Sequence, residues 1–284
     1  MKLIVLNSNH FVTGSNNKFL FNFPNNPRFQ EGDQIAVLGF AMYNSIFNVT
    51  SSLNNNTFQI KLNFATPVTM TLTLPDGFYS VDDMQYYIEQ QMLLGKYYVT
   101  NTSGENVFFF HIAENSVYYT VNVICDLIPT SAQATTLGYT QASGATWSYP
   151  TTEATSQLIV LSTNSFGSLI GYDAGTIGTA TTATEMFNSD NTPNIQPVNS
   201  LMLRCNMVSS AYSIPVDVIY SKSIDTSFGG LIKETVNYPI WQDIIPQSFS
   251  QCHITITDQT FNNILINDVY GSVITLAIRS KNER

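Results

Sequence analysis

The chain has 284 residues, 44% hydrophobic but only 11% charged against a usual share of about 25%, and a formal net charge of −9. Its eleven Lys and Arg do not cluster, which excludes the basic stripe that direct nucleic-acid binding needs. A chain this long buries about 75% of its unfolded surface, so a core needs no disulfide. Asn, Thr and Ser supply the polarity instead, a composition shared by β-rich proteins in general and by surfaces that are buried against other proteins.

Residues 2 to 6 and 18 to 23 read as short strands or an extended arm, and Pro24-Asn-Asn-Pro27 breaks the chain. Met1 to Leu6 is too short for a signal peptide, and no apolar run approaches the roughly 20 residues of a membrane span. The expectation is therefore folding in a reducing compartment, with Cys125, Cys205 and Cys252 as buried free thiols. The sequons at Asn48, Asn55 and Asn101 read as chance in a chain this rich in Asn and Thr. Gln34 to Tyr43 contains the near-continuous apolar run Ile35-Ala-Val-Leu-Gly-Phe40, which suggests a central strand covered on both faces. The clearest hairpin follows: Phe58, Ile60, Leu62 and Phe64 alternate with polar residues, as do Val68, Met70, Leu72 and Leu74 beyond Ala65-Thr-Pro67.

One helix stands out. Ser80 is a good N-cap, Asp82 and Asp83 complement the helix dipole, and Val81, Met84, Ile88 and Met92 follow helical spacing up to a stop at Gly95. Strands are expected over 107–112 and 117–125, the second with Val117, Tyr119, Val121, Val123 and Cys125 on one face. Thr, Ser, Ala and Gly then dominate 130–156 and 174–193, which predicts long loops or a small insertion over 129–198. Deletion of residues 131–155 is expected to leave the fold intact.

The C-terminal third returns to clean alternation. Leu201, Leu203, Cys205 and Met207 share one face, as do Cys252, Ile254 and Ile256, and Ile274, Leu276 and Ile278. Val216 to Tyr220 reads as a further strand. Ten or more strands, one helix and no βαβ alternation predict an all-β fold, a sandwich or barrel spanning 1–284, and a helix lodged between strand pairs is compatible with a single jelly-roll β-sandwich.

Catalytic, cofactor-binding and metal-binding residues are not found. His10, His111 and His253 lie far apart in sequence and none belongs to a His-x-His pair, so the ligand set of a cupin-like enzyme is missing. Asp82 and Asp83 are adjacent on a helix and point about 100° apart, with a structural reason to be in its first turn. Gly-x-Ser-x-Gly, Cys-x-x-Cys and phosphate-cradling Gly loops are absent. Gly171 and Gly229-Gly230 suggest turns. Trp241 is expected at a sheet edge or subunit contact, and Trp147, in the polar stretch, as an exposed anchor.

Four stretches carry a resemblance: Leu74-Pro-Asp-Gly-Phe-Tyr-Ser-Val-Asp-Asp-Met84, Phe166-Gly-Ser-Leu-Ile-Gly-Tyr-Asp-Ala-Gly-Thr176, Ser200-Leu-Met-Leu-Arg-Cys-Asn-Met-Val208 and Leu265-Ile-Asn-Asp-Val-Tyr-Gly-Ser-Val-Ile-Thr-Leu-Ala-Ile-Arg279. In this order, with Pro239 and Trp241 between the last two, they resemble the penton (minor capsid) proteins of virophages and polinton-type viruses. The resemblance implies a jelly roll that assembles as a homopentamer at the fivefold vertices of an icosahedral capsid, among trimers of a double jelly-roll major capsid protein. It implies a virion location and no catalytic residues. The alternative is a lectin-like or receptor-binding head, with the loops between Pro129 and Asn199 meeting a host receptor or glycan.

Overall fold

The computed structural model describes residues 1–15, 17–267 and 271–281. Its Cα packing divides the chain into two compact units: Met1–Phe47 with Val198–Arg284, and Asn48–Pro197. The chain is all-β, with strands in several sheets and three short helices.

The first unit contains eight main strands: β1 (Lys2–Leu6), β2 (Lys18–Asn22), β3 (Gln34–Tyr43), β4 (Ser200–Cys205), β5 (Val218–Ser223), β6 (Leu231–Thr235), β7 (Gln251–Thr257) and β8 (Val273–Arg279). They form two antiparallel sheets in the orders β1-β8-β3-β6 and β5-β4-β7-β2. That interleaving is the eight-strand jelly roll. The alternating residues of the sequence build its core. Ile274, Leu276 and Ile278 face inward from one sheet, and Leu201, Leu203, Cys205, Cys252, Ile254 and Ile256 from the other.

The apolar run in β3 has a different cause from the double cover expected of it. Thr275 pairs with Gly39 but Leu276 pairs with Val37, so Leu38 is an extra, bulged residue. The bulge switches the phase of the strand: Ile35 and Val37 face the core before it, Phe40 and Met42 after it.

The second unit runs in sequence between β3 and β4. It begins at Asn48, includes the hairpin and the long helix, and takes in residues 129–197. One of its sheets has the order 175–177, 157–160, 57–62, 68–73; another has the order 185–188, 120–125, 110–115. Helix α1 (Val81–Gly95) presents Val81, Met84, Ile88 and Met92 to the core, as its spacing predicts. Ser80 and Asp83 form a capping box: the Asp83 backbone N–H donates to Ser80 Oγ at 3.1 Å, and the Ser80 N–H to Asp83 Oδ2 at 2.9 Å. Gly95 is the last helical residue and Lys96 takes the left-handed turn at φ 58°. A Cβ at Gly95 would collide with the Tyr97 ring, which is why glycine sits there.

Of two further helices, α2 (Ser131–Thr136) replaces loop expected in the Thr/Ser-rich part, and α3 (Gly167–Ile170) lies between its two stretches. Val117, Tyr118 and Tyr119 are an exposed turn, and the strand face begins only at Val121. Trp147 is buried, not an exposed anchor. Its ring stacks on Phe64 with centroids 4.0 Å apart, and its Nε1–H donates to the Lys96 carbonyl at 2.7 Å. A segment that supplies a buried, hydrogen-bonded indole belongs to the core, which overturns the expectation that 131–155 is dispensable.

Trp147→Ala is expected to destabilise the protein by about 3–5 kcal/mol, read in denaturant unfolding, and deletion of 131–155 to abolish cooperative unfolding of residues 48–197.

Candidate functional site

The structure places the three histidines in separate local contacts. The Asn7 backbone N–H donates to His10 Nδ1 at 3.3 Å beside a single 3-10 turn. His253 Nε2 lies 3.0 Å from Gln251 Oε1 on the exposed face of β7. His111 Nδ1 lies 2.6 Å from Asp126 Oδ2. This last pair was invisible in the sequence because it depends on the hairpin register, which sets His111 opposite Ile124. Among the described residues, no three His, Cys, Asp or Glu come together in a cluster able to hold a metal ion.

Asp83 is held below the usual carboxylate range by hydrogen bonds from the Ser80 hydroxyl and backbone, so its role is capping. Burial pushes the Cys125 thiol up to about 12, which leaves it without thiolate character near neutrality. Cys205 and Cys252 are free thiols with sulfurs 3.9 Å apart in the jelly-roll core. Their mutual hydrogen bond, then burial, pushes Cys252 well up. The sequon amides are engaged too. Asn48 Nδ2 donates to the carbonyls of Tyr79 and Ile195, at 2.8 and 2.9 Å, and its Oδ1 accepts from the Tyr79 N–H. Asn55 Nδ2 donates to the Asn48 carbonyl, and Asn101 Nδ2 to Glu105. The buried amide of Asn48 ties the loop at 48–55 to the Pro75–Ser80 turn, and that of Asn55 closes the loop on itself.

The surfaces are more informative than the titratable groups. In the sequence, residues 48–197 hold eleven Asp and Glu against two cations, Lys61 and Lys96. The remaining residues hold nine of each sign. The whole net charge of −9 thus sits on the second unit, and the jelly-roll unit is neutral. The outer face of the β1-β8-β3-β6 sheet is also unusual. Val5, Tyr43, Leu231 and Val273 lie on it, between 38% and 48% exposed. An antiparallel sheet facing water normally presents polar residues there.

Trp241 is half-buried beside Gln242–Asp243, which pair at the edge of β3, and Arg279 lies 4.1 Å over its ring. This is the sheet-edge position expected of it. Gly171 adopts φ 79°, and a Cβ there would strike the Asn191 carbonyl. The turn sets the Tyr172 hydroxyl between the carbonyls of Val121 and Phe187, at 3.0 and 2.7 Å, which share its one O–H. Of the Thr/Ser-rich stretch, 173–176 and 179–184 remain exposed.

No family model matches the chain, and no curated protein matches it. Among solved structures, it is similar to the crystal structure of the selenomethionine-labelled mavirus penton protein, with 10% identity, a TM-score of 0.45 and coverage of 98% of each chain. No helix among the described residues is long and apolar enough to cross a membrane.

The lowered Asp83 value stabilises the folded state at any pH above the ordinary value of 3.8, and this contribution is lost as pH falls through the folded value. Asp83→Asn is expected to flatten the acid limb of a thermal-unfolding series between pH 7 and pH 2. Ser80→Ala should cost about 1 kcal/mol at pH 7 by the same measurement.

Proposed function

We propose that the protein is a structural, non-enzymatic viral capsid component of the virophage and polinton type, a penton that forms homopentamers at icosahedral vertices. In the virion it would sit among trimers of a double jelly-roll major capsid protein. The observation that carries this reading is the pairing of a complete eight-strand jelly roll with zero net charge on that unit. A ring of copies brings like surfaces together five times, and net charge on the contacting unit would oppose it. The apolar outer face of Val5, Tyr43, Leu231 and Val273 gives such a contact an area to bury.

The four family-like stretches support the same reading. Two lie in the second unit, at the α1 cap and the Gly171 turn; the other two supply β4 and β8, with Asp268-Val-Tyr270 outside the described residues. Assembly inside the host cell accords with three buried free thiols. The exposed Thr- and Gly-rich run at 173–184 favours a second role, contact with a host receptor or glycan through loops of the acidic unit.

Native mass measurement of the purified protein tests the proposal. A pentamer is the expected result, and Leu231→Glu with Val273→Glu should return it to monomers with an unchanged melting temperature. A trimer would favour the receptor-binding head, and a monomer at every concentration would contradict the vertex reading.

A further inference from the structure

Among the described residues, β1 and β6 end one sheet of the jelly roll, and β5 and β2 the other. β2 ends one sheet, and its outer side is partly taken by Phe11, which bridges to Phe19. β1 ends the other and, among the described residues, pairs only with β8. A strand with one free side holds unpaired backbone donors and acceptors, and natural edges are usually blunted by charge, proline or a covering loop. β1 has Lys2 at its start, but Leu3 and Val5 are 58% and 47% exposed.

Beside that edge lies a cleft of about 550 Å³, walled by Phe21, Phe23, Phe29 and Ile278. Among the described residues, three cations, Lys2, Arg28 and Arg279, line it, against one carboxylate, Asp33. The Asp33 carboxylate already accepts the Gln30 backbone N–H at 2.8 Å. Arg279 donates to Gln34 Oε1 at 2.7 and 3.0 Å and lies over the Trp241 ring, and neither partner carries a charge. Neither Lys2 nor Arg28 has an ion-pair partner among the described residues. A local excess of positive charge in a chain of net −9 is a selective feature.

We propose that this edge binds an extended acidic segment of a partner protein, added to β1 as an extra strand. Its carboxylates would meet Lys2, Arg28 and Arg279, and its alternate apolar side chains would rest on the phenylalanine wall. The free edge selects a peptide over a lipid, because only a peptide backbone satisfies the unpaired β1 groups; the cations select its sign. The proposal does not depend on the vertex reading, since a monomeric jelly roll presents the same edge.

The test uses the full chain and a blocked octapeptide alternating glutamate with leucine. Fluorescence anisotropy should show saturable binding, weakened at least about tenfold by Arg28→Glu or Lys2→Glu in variants of unchanged melting temperature. The matching lysine–leucine peptide should not bind. Hydrogen exchange should slow at Lys2–Leu6 when the acidic peptide is present. Absence of binding, equal binding of the two peptides, or binding without protection of β1 would overturn the proposal. So would dodecanoate displacing the peptide from the cleft, or protection of β1 that rises with protein concentration alone.

Discussion

The central strand β8 holds the first sheet together. It pairs along its whole length with β3 on one side and with β1 on the other, and it buries Ile274, Leu276 and Ile278 in the core. Its partners come from the opposite end of the chain. The sheet is therefore complete only when the last described strand meets the first, an extreme of non-local pairing that makes folding slow and the product cooperative. Losing β8 would expose both neighbours and leave their inner faces uncovered.

That constraint explains how the chain accommodates a second unit between β3 and β4. Two separate apolar cores form, one from the jelly-roll strands and one from the hairpin at 57–73, α1, the 110–125 hairpin and Trp147. Each is filled by its own residues, so the composition of each surface is free to differ. The separation of charge follows the same division: a neutral jelly roll and a second unit that holds the entire excess of acid. Low charge across the whole sequence thus averages two unlike units, one without net charge and one acidic.

Elements with strict periodicity were legible. The strands at 57–62, 200–205, 251–257 and 273–279 alternate with period two, and α1 announces itself through Ser80, Asp83 and an apolar stripe. Strand partners were not legible, because alternation says that a strand has one buried face and nothing about which strand it pairs with. β3 misled for a related reason: the bulge at Leu38 joins two half-strands of opposite phase into one apolar run. Helix α2 buries only Ala134, so its Ser, Thr and Gln pass for loop. Trp147 was hidden by its polar neighbours, although a large indole with a donor to satisfy is a better sign of burial than the composition around it.

The central claim is that residues from both ends of the chain form one jelly roll and that 48–197 form another unit. Native-state hydrogen exchange across a denaturant series measures this directly. The account predicts that β1, β3 and β8 lose protection together with β4 and β7, at one denaturant dependence, while 57–62, 81–95 and 120–125 share a second. Loss of protection confined to 129–198, with 57–125 opening together with the chain ends, would contradict it.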